Sequence, residues 1–124
     1  MTDCTPLLDA VDRIADRFRS LPQSRLLAAA DGGGASRAAL GLELARALAA
    51  SAQREEFPGA EPRRIPDLGV FAIGDQIAVA GHDLAAALAA GGGREGASQG
   101  EASREDVLEE ALRAVAETAR RCGL

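Results

Sequence analysis

Apolar residues return at steps of three and four along the start of the chain. Leu7, Val11, Ile14, Phe18 and Leu21 make one stripe, and Asp9, Asp12, Arg13, Asp16 and Arg17 lie off it. That spacing predicts an amphipathic helix. Thr5-Pro6 suits its opening, with a capping side chain before a first-turn proline, and Pro22 ends the run. A short second helix is expected over Ser24 to Ala30, broken by the glycines of Asp31 to Gly34.

A longer pattern runs from about Ala35 to Glu56. Leu40, Leu44, Ala47 and Leu48 share a face, and Ala38, Leu42, Ala45 and Ala49 widen it. The resulting arc is roughly twice the ~100° stripe of an ordinary surface helix. This predicts a central helix with more than one neighbour. Phe57 to Asp67 holds three prolines and reads as an extended connector.

The stretch "GVFAIGDQIAVAGHD", Gly69 to Asp83, gathers β-branched residues around a Gly-Asp pair. A loop of Gly74-Asp75-Gln76 would set Phe71, Ile73, Ile77 and Val79 on one face of a β-hairpin over about 69–80. Asp83 would then cap a short helix, "LAAALAA". Gly91 to Ser103 is rich in glycine and serine and reads as a flexible linker. Leu108, Ala111, Leu112, Val115, Ala119 and Cys122 form the last stripe, with Glu109–Arg113 and Glu117–Arg121 at four-residue spacing.

The expected fold is therefore mainly α. It comprises four to five helices, one β-hairpin and a flexible linker before the C-terminal helix. A single domain over 1–124 fits the length: helices and hairpin to residue 90, linker 91–103, and an amphipathic helix 104–124.

Composition narrows the function classes. All 14 basic residues are arginine, Lys, Asn, Tyr and Trp are absent, and the net charge is −5. Such a skew fits a high-GC bacterial genome. It leaves no stacking platform and no cationic phosphate track, so nucleic-acid binding is disfavoured. No apolar run approaches a membrane span, and the start of the chain lacks the basic-then-apolar pattern of a secretory signal, so the expectation is a cytoplasmic protein without membrane association. Cys4 and Cys122 form neither a CxxC pair nor a zinc site with the single histidine, and are expected as free thiols unless the two ends meet. No metal site and no cofactor are expected.

Two kinds of candidate residue remain. Arg37, Asp75, His82 and Asp83 are the candidate ligand-binding set, because glycine-rich backbone precedes Arg37, Asp75 sits in the loop of the predicted hairpin, and His82 and Asp83 follow its second strand. The alternative for His82 and Asp83 is a capping role. Leu40, Leu42, Leu44, Leu48, Leu108, Leu112 and Val115 are the candidate interface, since an alanine-rich core is thin and an over-wide apolar arc invites a second copy. The leading expectation is a non-catalytic interaction or regulatory module that forms a homodimer, with room for an unidentified protein partner. A small-ligand-binding domain with a pocket between hairpin and central helix comes second. A small acid–base enzyme comes third, because no catalytic constellation accompanies His82.

Overall fold

The computed structural model describes residues 2–31, 33–91 and 97–124, with side chains from Arg104 onward in the last segment. Among the described residues there are five α-helices: α1 (Thr5–Ser20), α2 (Gln23–Leu27), α3 (Arg37–Glu56), α4 (Ile73–Ala90) and α5 (Ala97–Cys122). A 3-10 turn, Val70–Ala72, leads into α4. None of these helices is long and apolar enough to cross a membrane.

The four long helices form a ring in which α1 and α3 each pack on both α4 and α5. Specific contacts give the directions. Asp12 and Arg19 of α1 meet His82 and Asp75 of α4 respectively, so these two helices are antiparallel. Gly41 of α3 lies beside Ile73, at the start of α4, while Ala49 shares a groove with Val79 and Ala80. Helices α3 and α4 therefore run parallel. The connector 57–72 makes this possible by returning along α3: Gln53 exchanges hydrogen bonds with the Arg63 backbone (2.6 and 2.9 Å), and Arg46 Nε donates to the Ile65 carbonyl at 3.0 Å. Helix α5 runs parallel to α1, with Glu105 near Cys4 at one end and Ala119 beside Arg17 at the other.

The predicted β-hairpin is corrected by the structure. Residues 69–80 form the 3-10 turn and the first turns of α4, and no strand occurs among the described residues; one isolated bridge links Ala29 and Ser36. The reason lies in a stripe that the hairpin reading split. Ile73, Ile77, Ala80, Leu84 and Leu88 recur at steps of three and four and are all buried. Gly74, read as a turn residue, and Gly81, read as a strand end, are contact points on that same helix. An added Cβ at Gly74 would stand 2.8 Å from the Ala15 carbonyl oxygen, and one at Gly81 would stand 2.5 Å from Val11. Tertiary packing thus overrides local β preference.

Asp83 is a second correction. It lies exposed inside α4 and caps no helix start. Helix α1 starts at Thr5 itself, with Cys4 at its N-cap and no side-chain cap, although Asp3 Oδ1 accepts the Thr5 amide at 3.0 Å; α3 is capped by Ser36 Oγ, which accepts the Ala39 amide at 3.0 Å. Of the expected linker 91–103, Gly91 closes α4, residues 92–96 lie outside the described residues, and 97–103 are the opening turns of α5. Glu117 pairs with Arg120, one residue nearer than the spacing rule suggested.

Gly74→Ala tests the α1–α4 approach. In an ordinary helix this change stabilises by about 1 kcal/mol. Here a methyl group would press on a backbone oxygen that has no rotamer to escape into, so a loss of about 1–3 kcal/mol is expected instead. Urea denaturation giving a higher midpoint for Gly74→Ala would contradict the packing described.

Candidate functional site

The structure distributes the four candidate ligand residues to three places. Arg37 sits in the first turn of α3 and is spent on structure. Its Nε donates to the Cys122 carbonyl at 2.9 Å, and its Nη1 lies 3.3 Å from the carbonyls of Arg25 and Ala29. It ties the end of α5 to α2 and to the glycine loop. Asp31 adds to this knot, receiving Arg121 Nε at 3.3 Å and donating its own amide to the Arg121 carbonyl at 3.0 Å. The glycine loop is thus a fastening point, and Gly34, at φ +83°, holds a conformation that disfavours other residues.

His82 and Asp75 both face α1. His82 Nε2 meets Asp12 Oδ1 at 2.7 Å, and Asp75 Oδ1 accepts from Arg19 Nε at 2.9 Å. The partners are spaced by seven residues on each helix, in opposite order, which pins the antiparallel register. Both pairs are largely exposed and hold register more than they add stability. Among the described residues no group of three metal-ligating side chains gathers.

Asp75 and Asp83, by contrast, do come together at one feature. They line a groove of ≈ 450 Å³ between α4, α3 and the returning connector, whose floor and walls include Ala49, Ile65, Leu68, Val79 and Ala80. The two aspartates are the only charged residues among those lining it. Leu68 and Val79 on its walls are 65% and 62% exposed, and Phe71, one residue before Ala72 of the lining, is 69% exposed on the 3-10 turn. Helix α2 packs on that turn and brings the exposed Leu27 to the same end of the bundle. Large apolar side chains left in water and grouped around a cleft are the usual mark of a docking surface.

Sequence reading missed this surface because it assigned Phe71 and Val79 to the inner face of a hairpin. The available signal was their position. On a helical reading of 73–90, Val79 falls off the core stripe, and Phe71 and Leu68 precede it in a segment with no periodicity of its own.

The candidate interface residues lie elsewhere. Leu40, Leu42, Leu44, Leu48, Leu108 and Val115 are buried within the chain itself, and Leu112 is half-buried against the core. The wide arc of the central helix is covered by α4 and α5, which removes the physical reason for expecting a second copy on it. Cys4 and Cys122 are free and buried, at opposite ends of the parallel pair α1 and α5. Burial is the leading cause that pushes both thiols above their ordinary value.

Comparison with known protein families, curated proteins and solved structures finds no match to the chain.

Two outcomes follow from these placements. Arg37→Met removes a cation shared among three carbonyls and should lower stability by about 2 kcal/mol, with faster amide exchange in the last turn of α5; unchanged exchange there would show that Arg37 does not fasten it. The thiols give a pH dependence. Because their folded values are raised, the neutral form is favoured in the fold, and this contribution is complete below the unfolded thiol value of about 8.5–9. It should fade as pH rises through the raised folded values, and alkylation at pH 8 should be slow until urea unfolds the chain.

Proposed function

We propose that the protein is a non-catalytic interaction module that self-associates, and that its partner-docking surface is the groove between α3, α4 and the connector. The observation that carries this reading is the pair of exposed apolar side chains Leu68 and Val79 lining a cleft whose only charged lining residues, among the described residues, are Asp75 and Asp83. Asp75 is paired with Arg19, so Asp83, which makes no ion pair among the described residues, is the acid left at the rim, and a carboxylate there selects donors and cations. The occupant that fits is an apolar segment of another protein carrying arginine or lysine beside its anchor residues, as when an amphipathic helix lies in a groove.

The runner-up is a small-ligand-binding domain. It draws support from the same cleft, which lies beside the central helix and holds two of the four candidate ligand residues. Small-molecule sites bury most of their ligand. A cleft with Leu68 and Val79 so open to water suits a polypeptide better. An acid–base reaction has less support, since His82 lies outside this cleft and its Nε2 is engaged with Asp12.

Synthetic amphipathic peptides with leucine anchors, flanked either by arginine or by glutamate, test the reading by fluorescence anisotropy. The arginine-flanked peptide should bind at least roughly tenfold more tightly, as expected when a charge pair is exchanged for a like-charge clash. Val79→Asp should abolish that binding without loss of helical signal. Equal binding of both peptides, or binding indifferent to Val79→Asp, would remove the groove as the docking surface.

A further inference from the structure

The opposite face of the bundle, between α1 and α5, carries a second groove, and its charges are ordered along its length. Its lining includes Ala10, Arg13, Ile14 and Arg17 from α1 with Leu112 and Ala116 from α5, around a volume of ≈ 380 Å³. Arg13 and Arg17 are exposed and make no ion pair or hydrogen bond among the described residues. On α5 the stripe that continues from Leu112 toward the helix start passes through Glu109 and Glu105, also exposed and also without an ion pair there. Because α1 and α5 are parallel, the face is acidic at one end, apolar in the middle and basic at the other.

From these positions we infer that this face is the self-association surface, and that its occupant is a second copy of the chain in antiparallel, two-fold arrangement. The inference rests on the self-association part of the function proposed above and is independent of the partner-docking groove. The register argues for it. The lining sets Ala10 of α1 beside Leu112 of α5. Glu109 and Glu105 precede Leu112 by three and seven residues, and Arg13 and Arg17 follow Ala10 by three and seven. Those steps keep each set on one helix face.

A two-fold axis crossing both helices at the level of Ala10 and Leu112 brings Glu109 of one copy to the level of Arg13 of the second, and Glu105 to the level of Arg17. Like helix lies on like helix, and the long arginines reach across the groove to the glutamates. The reverse orientation would stack glutamate on the acidic end and arginine on the basic end. Charge therefore selects the antiparallel pairing, the role in which interface electrostatics is most effective.

The middle of the face supports close approach. Ala10 and Ala116 leave room for helices to near one another, and Leu112 supplies a half-buried apolar ridge. The described stretch of face is about 20 Å long. With two helices side by side it offers roughly 500 Å² per copy, at the small end of specific interfaces, so the dimer should be of micromolar strength and weaken with salt.

Sedimentation equilibrium on the full chain tests this. The unmodified protein should dimerise, and Arg13→Glu with Arg17→Glu should weaken the dimer at least roughly tenfold, as should Glu105→Arg with Glu109→Arg. All four residues are exposed, so folding should be unaffected by circular dichroism. Mixing the two double variants should restore association, because one then carries an all-acidic face and the other an all-basic one. Ala116→Arg should block the dimer independently of charge order. A monomer at several hundred micromolar would overturn self-association itself. A dimer indifferent to these changes but split by Val79→Asp would leave self-association standing and overturn this face as its site.

Discussion

The close approach of α1 to α4 is the constraint on which the rest of the bundle depends. An alanine-rich core offers little area per side chain, so helices must come near enough for backbones to share in the contact. Gly74 and Gly81 grant this on α4, and Gly41 grants it on α3, where an added Cβ would stand 2.6 Å from Ile73 and 2.8 Å from Phe18. Phe18 and Ile73 are thus clamped where three helices meet. With that junction set, α4 can lie parallel to α3, and the connector must travel back outside them. The groove exists because the connector takes that path.

The two faces of the molecule follow from the same economy of side chains. Core positions are filled by leucine, isoleucine and alanine, and few large apolar residues remain for the outside. Of those that do remain, Leu68 and Val79 line one cleft while Leu27, Phe57 and Phe71 stand outside its lining, and the α1–α5 groove has only partly covered apolar residues, Leu112 and Leu124, beside its alanines and arginines. One surface offers apolar anchors with an acidic rim. The other offers little apolar area but an ordered charge pattern. A single small bundle can in this way address two different contacts without competition between them.

Helix periodicity carried most of the fold in the sequence. The stripes of Leu7 to Leu21 and Leu108 to Cys122 became α1 and α5, and the over-wide arc of the central helix became the element with two long neighbours. What failed was the region where local and tertiary signals conflict. Val70, Ile73, Ile77 and Val79 favour strands taken singly, and Gly74 looks like a turn until α1 is placed against it. A glycine that serves a helix contact is indistinguishable in one sequence from a glycine that serves a turn. The candidate site suffered the same fate: Asp75 and Asp83 reached a common groove, but Arg37 and His82 were claimed by hydrogen bonds whose partners are distant in the chain.

The parallel pairing of α3 and α4 also bears on how the chain reaches this state. Helices joined by a short turn find one another locally, but here residues 57–72 must double back before α4 can settle. The ties between α1 and α4 close loops of 56 and 70 residues. Closing them demands chain entropy before contacts reward it, which raises the mean sequence separation of contacts and slows folding relative to an up-and-down bundle. The Gln53 and Arg46 bonds to the connector then acquire a kinetic meaning. They hold the return path against α3, which shortens the loop left to close when α4 docks.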